Sequence, residues 1–108
     1  MKWKNKGHEF DAVYQNIKQK KSFYLFGAGD YGKQFLRIMK AEIHMKGFID
    51  NSPKKQGKYI LGNLCYLPED VTLAKEEGII ITMSQIQRVN AILQMEKNNY
   101  IKNSDYFI

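Results

Sequence analysis

The stretch Tyr24–Gly32, YLFGAGDYG, decides the fold of this chain. A short apolar run, Ser22–Phe26, enters a cluster of glycines, and a helical pattern leaves it. The cluster Gly27–Gly32 fits the pattern G-x-G-x-x-G in full. In this pattern the first glycine lets the chain turn out of the strand, the second lets a phosphate approach the backbone, and the third lets the helix pack close to the sheet. The stretch therefore predicts a strand-to-helix turn whose free N–H groups can face an anion.

Hydrophobic spacing on either side of this turn predicts alternating strands and helices. The expected elements are strands at Ser22–Phe26, Met45–Ile49, Asn63–Leu67, Ile79–Thr82 and Tyr106–Ile108, and helices at Asp30–Lys40, Pro68–Glu77 and Gln85–Asn98, the last capped by Ser84. This alternation predicts an α/β fold: a small, doubly wound, mostly parallel sheet of about five strands with helices on both faces. Ligands of such sheets bind beyond the carboxyl ends of the strands. Three turns should meet there, Gly27–Gly32, Asp50–Gly57 and Thr82–Ser84.

The 108 residues fit one domain with a short extension before it. Residues 9–18 have apolar side chains at helical spacing, so residues 1–20 are predicted to be an N-terminal helical extension. Residues 21–108 then form the nucleotide-binding domain. The apolar ending, Asp105–Ile108, and the small number of strands favour a fragment of a larger enzyme over a complete one.

An acidic residue at the end of the second strand strengthens the phosphate interpretation. Asp50 lies 23 residues beyond Gly27, close to the distance expected for the carboxylate that holds ribose hydroxyls. Such a carboxylate would repel a 2′-phosphate, so a dinucleotide ligand would be NAD rather than NADP. Lys54 and Lys55 follow and are candidates for the same crevice. The expected cofactor-binding residues are Gly27, Ala28, Gly29, Asp30, Tyr31, Gly32, Asp50, Asn51 and Thr82.

Asp30 keeps a second interpretation of the glycine cluster open. Its carboxylate lies between the second and third glycines, where a phosphate would bind. It would either cap the helix, which removes the need for a ligand, or weaken phosphate binding by repulsion between like charges. On this second interpretation the turn is purely structural.

Composition excludes several classes of protein. The net charge of +6 comes from lysines spread along the chain, and no nucleic-acid-binding module accompanies them. No apolar run approaches the roughly 18 residues of a membrane span, and no signal segment follows the basic N-terminus. The single cysteine, Cys65, rules out an internal disulfide and suits a reducing compartment. These features predict a cytoplasmic protein, with no metal site and no catalytic residue evident.

Three longer stretches carry a resemblance to a known family. YLFGAGDYGKQFL, GFIDNSPKKQGKYILGNLCYLPEDV and GIIIT resemble a small Rossmann-like domain of bacterial cell-surface polysaccharide enzymes. In that family it is the N-terminal domain of sugar-nucleotide acetyltransferases, and related domains occur in nucleoside-diphosphate-sugar epimerases and dehydratases and beside glycosyltransferase modules. The resemblance covers Lys21 to Met95.

The resemblance implies a binding domain for NAD or a nucleoside-diphosphate sugar, working with a catalytic domain of the same chain. The sequence departs from the enzymes themselves, because it has no left-handed helix repeat, no recognisable acetyl-transfer histidine and no Tyr-x-x-x-Lys pair. The alternative is a structural or oligomerisation module that kept the fold and lost the ligand. Self-association through the apolar end Tyr106–Ile108 would fit that alternative.

Overall fold

A computed structural model of the chain describes residues 19–107. Within them the chain forms six strands, two α-helices and one 3-10 turn. In chain order these are β1 (Ser22–Phe26), α1 (Asp30–Met39), β2 (Met45–Ile49), β3 (Tyr59–Ile60), β4 (Asn63–Tyr66), the 3-10 turn Pro68–Asp70, β5 (Glu77–Ile81), α2 (Gln85–Lys97) and β6 (Tyr106–Phe107).

The six strands form one sheet in the order β3-β4-β2-β1-β5-β6. Every neighbouring pair is parallel except the β3–β4 hairpin. Phe26, the last residue of β1, lies opposite Ile49 of β2 on one side and Ile81 of β5 on the other. After β1 the chain forms β2 and the β3–β4 hairpin on one side of β1. It then crosses over to form β5 on the other side of β1. The strand order therefore reverses between β1 and β5, and a ligand crevice is expected beyond their carboxyl ends.

One helix covers each face of the sheet. Leu36 and Met39 of α1 pack against a core that includes Phe23, Leu25 and Phe48. On the opposite face, α2 packs against the side chains that alternate with these along the strands; this second core contains Tyr24, Phe26, Ile49, Ile79, Ile81, Ala91, Met95 and Tyr106. The doubly wound α/β fold predicted from the sequence is confirmed.

Most predicted elements agree with the structure to within a residue or two. β1 and β2 have the predicted bounds, and α1 and α2 each end one residue earlier than expected. Ser84 caps α2 as predicted, because its hydroxyl oxygen accepts a hydrogen bond from the Gln87 N–H at 3.5 Å. The expected helix at residues 9–18 lies outside the described residues, as does Ile108.

The predicted helix Pro68–Glu77 is wrong. Only the 3-10 turn Pro68–Asp70 forms, and an irregular segment connects it to β5. Val71 and Leu73, two residues apart, pack against the α2-side core, which an extended chain allows and a helix does not. Glu77 is already the first residue of β5, and its carboxylate accepts a hydrogen bond from the Ala74 N–H at 2.9 Å.

β3 has no counterpart among the strands expected from the sequence. It pairs with β4 across the two-residue turn Leu61–Gly62, with Ile60 opposite Asn63. Both turn residues have positive φ, 49° and 79°, as the tight hairpin turn of type I′ requires. Glycine adopts positive φ readily, whereas leucine rarely does. Of the two turn residues, only Gly62 therefore indicates this hairpin in the sequence.

None of the helices in residues 19–107 is long and apolar enough to cross a membrane.

Cys65, in β4, is a free thiol with 1% of its surface exposed. Burial raises the pKa of this thiol, the charge of Asp50 raises it further and Lys55 opposes the rise, so Cys65 is a core residue and no nucleophile.

Candidate nucleotide-binding site

A crevice of about 390 Å³ opens at the carboxyl ends of β1, β2 and β5. This is the place where the strand order reverses, and the volume lies within the usual range of small-molecule sites. Three turns border it, as predicted, together with one side of α2. The lining residues are Phe26, Gly27, Gly29, Asp30, Tyr31, Asp50, Asn51, Lys55, Thr82, Met83, Ser84, Gln87, Asn90 and Ala91.

The first and third glycines pack the turn against the protein. Gly27 has φ +121°, a conformation that side chains rarely adopt, and a Cβ there would collide with the Thr82 carbonyl oxygen. A Cβ on Gly32 would collide with the Gly27 carbonyl oxygen. The Gly27 N–H donates to the Ile49 carbonyl at 2.8 Å, which joins the turn to β2. These two glycines are therefore required for close packing, whether or not a ligand binds.

Gly29 differs from both of these glycines. Apart from its chain neighbours, no described atom lies within 4 Å of the position of its Cβ, so this residue faces open space at the crevice. It is the N-cap residue of α1, yet no side chain caps that helix within residues 19–107. Asp30 is exposed and starts the helix without capping it. The N–H groups of the first turn of α1 are thus left without a side-chain acceptor at the rim of the crevice.

Asp50 both lines the crevice and organises the glycine turn. Its Oδ2 accepts a hydrogen bond from the Ala28 N–H at 2.9 Å, and its Oδ1 accepts one from the Ser52 N–H at 2.9 Å. The ammonium of Lys55 lies 3.6 Å from Oδ2. A carboxylate has about four acceptor positions, so Asp50 retains acceptor capacity for a hydroxyl of a ligand.

The structure brings together seven of the nine residues expected at the site. Ala28 and Gly32 are the exceptions, since both are buried and do not line the crevice. The Ala28 N–H is already bonded to Asp50, so it is not available to a phosphate. Of the two lysines considered, Lys55 lines the crevice and Lys54 does not.

Thr82 reaches the crevice, but its hydroxyl is directed at the turn. The residue is 1% exposed, and Oγ1 lies 3.1 Å from the Gly27 carbonyl and 3.3 Å from the Phe26 carbonyl. The hydroxyl therefore donates to backbone carbonyls at the end of β1. In this position Thr82 holds the glycine turn against β5.

We expect Thr82→Val to destabilise the unliganded protein by about 1–2 kcal/mol, because the nearly isosteric side chain cannot donate to the two carbonyls. Urea unfolding without nucleotide measures this free energy. Thr82→Ser is the control, since it keeps the hydroxyl. A valine variant as stable as the wild type would contradict the anchoring role.

Sequence reasoning missed one wall of the crevice. Gln87 lines it from α2, as do Asn90 and Ala91 one helical turn later. Ala91 is buried, whereas Gln87 and Asn90 are exposed. The signal that could have found them is the polar face of α2 placed directly after a strand that ends at the crevice.

Comparison with known proteins places the chain in a family. The family described as C2185-like, N-terminal, matches residues 18–101. The chain belongs to this family of N-terminal domains. The match includes the glycine turn, Asp50 and all of α2. None of the curated proteins compared with the chain matches it.

A solved structure shares the fold at low sequence identity. This structure, described as RSP in complex with beta-NADH, superposes with a TM-score of 0.56 and 15% identity. The alignment covers 86% of this chain and 52% of that chain, so this chain spans about half the length of that protein. At this identity the likeness shows the fold alone.

Proposed function

We propose that this domain binds a nucleotide through its diphosphate and ribose, and that the ligand is NAD or a nucleoside-diphosphate sugar. The observation that carries the proposal is the uncapped helix start at Gly29, which opens onto the same crevice as the Asp50 carboxylate. The helix start offers N–H donors to a diphosphate, and the Asp50 carboxylate accepts hydrogen bonds from ribose hydroxyls. These two groups in one crevice match the two polar parts of a nucleotide.

The diphosphate would lie at Gly29 and the first turn of α1. Free N–H groups and the positive end of the helix dipole favour an anion there. The open space beside Gly29 supports this placement, because phosphate oxygens need to approach the backbone closely. Gly27, Gly32 and Thr82 would shape the turn without contacting the ligand.

The ribose would lie at Asp50. The carboxylate is fixed by the two N–H groups that it already accepts, so it would meet the ribose hydroxyls without reorganising. A 2′-phosphate would face this fixed negative charge, with Lys55 as the nearby counter-charge. We therefore expect NAD to bind more tightly than NADP. The solved structure with NADH, which shares this fold, supports a dinucleotide among the candidates.

The wider role that we propose rests on the sequence resemblance. We propose that this domain serves an enzyme of bacterial cell-surface polysaccharide biosynthesis, with the catalytic residues on another domain of the same chain. The free, buried Cys65 fits a cytoplasmic location, where thiols remain reduced. Asp30 and Tyr31, at the open side of the crevice, would face the part of the ligand that extends toward the catalytic domain.

One observation favours a second candidate, an oligomerisation module. Ile86, Val89 and Leu93 form an apolar stripe on the outer face of α2, and each is more than half exposed. A second copy or another domain would cover such a stripe. The two candidates differ in the crevice, because the module would leave it without a ligand.

Thermal denaturation against a nucleotide panel tests the proposed function. The panel contains NAD, NADH, NADP, UDP-sugars, CDP-sugars and coenzyme A. A ligand at 100 times its Kd stabilises the native state by about 2.7 kcal/mol, which for a domain of this size is a rise in Tm of about 10 °C or more. We expect a selective rise with NAD or one class of nucleotide sugar, and less with NADP than with NAD.

The same panel can contradict the proposal. Equal Tm values with and without every ligand would reject nucleotide binding by this domain and favour the module. Sedimentation velocity then separates the alternatives further, because a module requires a dimer that Val89→Lys disrupts. A rise with coenzyme A alone would keep the anion site and contradict both proposed ligand classes, NAD and nucleoside-diphosphate sugars.

A further inference from the structure

The wall of the crevice that α2 provides is made of carboxamides. Gln87, Asn90 and Gln94 recur at spacings of three and four residues, so they lie on one side of the helix. Gln87 and Asn90 line the crevice directly, as does the buried Ala91. The α2 residues that line the crevice are uncharged, unlike Asp30, Asp50 and Lys55 on the opposite wall.

Asn51 faces this row from the other side of the crevice. Its Nδ2 donates to the Gln94 Oε1 at 3.2 Å, and the Gln94 Nε2 donates back to the Asn51 Oδ1 at 3.1 Å. The two amides therefore form a reciprocal pair that joins the loop after β2 to α2. Both groups are accessible, since Asn51 is exposed and Gln94 is half-buried.

We propose that Asn51, Asn90 and Gln94 recognise the base of the bound nucleotide through its hydrogen-bonding edge. This inference rests on the proposed function, because it needs the ribose at Asp50. The base is attached to the same ribose and lies next to its 2′-hydroxyl. With the ribose at Asp50, the base meets the neighbouring residue Asn51 and the amides of α2 that lie across from it.

The chemistry of the wall suits a base better than a phosphate or a carboxylate. A carboxamide presents a donor and an acceptor side by side, and a reciprocal amide pair has the same two-bond geometry as an amide on a base edge. Adenine offers such an edge at N6 and N1 or N7, and uracil offers one at N3 and O4. A base edge can replace one partner of the Asn51–Gln94 pair, because both side chains are accessible and the displaced carboxamide then forms hydrogen bonds with water.

Calorimetric titration of the 108-residue chain with ADP and with UDP tests this inference. Both probes carry a ribose and a diphosphate, so they differ only in the base. We expect one of them to bind the wild type at least tenfold more tightly than the other. We expect the double variant Asn90→Ala, Gln94→Ala to bind the preferred probe about tenfold to a hundredfold more weakly, the effect of losing a two-bond base contact.

Gln34→Ala on α1 is the matched control, because this exposed amide does not line the crevice. We expect it to leave both affinities unchanged. A second measurement changes the ligand: purine riboside diphosphate lacks the 6-amino group of ADP, and 3-methyl-UDP lacks the N3–H of UDP. Loss of the 6-amino group or of the N3–H should weaken binding to the wild type. It should not weaken binding to the double variant any further.

The outcomes separate this inference from the proposed function. A double variant that binds the preferred probe as tightly as the wild type overturns base recognition by α2 and leaves nucleotide binding intact. Equal affinity of the wild type for ADP and UDP also overturns base recognition alone. Failure of both diphosphates to bind, together with no response in the nucleotide panel, overturns the inference and the proposed function.

Discussion

Replacing Gly29 with valine is expected to remove nucleotide binding while leaving the unliganded fold intact. Apart from its chain neighbours, no described atom lies within 4 Å of the Cβ position of residue 29, so a side chain can start there without a clash. The backbone of Gly29, with φ −85° and ψ −160°, is extended and accessible to any residue. The branched side chain would instead fill the space beside the first turn of α1, where the diphosphate is proposed to lie.

The expected magnitudes distinguish binding from folding. Loss of the contact should lower affinity by a hundredfold or more, so that the rise in Tm of about 10 °C expected at 100 times the wild-type Kd disappears. The unliganded Tm should fall by only a few degrees, because valine is a poorer N-cap than glycine by about 1 kcal/mol. Thermal denaturation with and without the responsive nucleotide measures both quantities in one experiment.

Gly29→Ala is the graded control for this variant. Its single methyl group intrudes less, so we expect affinity to fall between those of the wild type and Gly29→Val. Wild-type affinity in the valine variant would reject the phosphate assignment, even with a nucleotide bound elsewhere in the crevice. A valine variant that is unfolded without ligand would show instead that Gly29 is needed for packing.

The parts of this fold that were predictable have strong local signals. β1 enters the turn as an apolar run, and the glycine cluster marks where it stops, so the bounds of β1 and α1 follow within a residue. The position of Asp50 was also readable, because it follows β2 at the distance expected of a ribose-binding acid. Periodicity and turn chemistry act over a few residues and are visible in one sequence.

The parts that were missed depend on contacts between distant residues. The segment after Pro68 has the proline and acidic residues of a helix start, but tertiary packing of Val71 and Leu73 keeps it extended. The hydrogen bond from the Ala28 N–H to Asp50 joins residues 22 positions apart, so no local pattern indicates it. The pairing of Asn51 with Gln94 spans 43 positions and was equally hidden.

The glycines also show why a motif is not a list of ligand contacts. All three fit one pattern, yet Gly27 and Gly32 meet protein atoms and only Gly29 faces open space. Sequence alone treats them as one site, whereas the structure divides them into two packing positions and one candidate phosphate position. Substitutions at Gly27 and Gly32 should therefore reduce the stability of the fold, whereas substitutions at Gly29 should reduce ligand binding.

Gly32→Ala is expected to destabilise the protein by about 2–3 kcal/mol, although alanine is the better helix former. The gain in helix propensity is at most about 1 kcal/mol. Against it, the new Cβ would collide with the Gly27 carbonyl oxygen and lie 3.2 Å from the Thr82 Oγ1. A backbone carbonyl cannot turn aside as a flexible side chain can, so α1 would have to move away from the turn, at a cost typical of overpacked cores.

Urea and thermal unfolding of Gly32→Ala without nucleotide measure this cost. A loss of 2–3 kcal/mol corresponds to a fall in Tm of roughly 10 °C or more for a domain of this size. Gly29→Ala is the matched control, because it makes the same chemical change three residues earlier, where a Cβ meets no described atom. Gly32→Ala should therefore melt well below Gly29→Ala, which loses only the N-cap preference for glycine and should melt within a few degrees of the wild type. If Gly32→Ala melted at or above the wild type, the close approach of α1 to the turn would be wrong, and the position of its N–H groups at the crevice would be wrong with it.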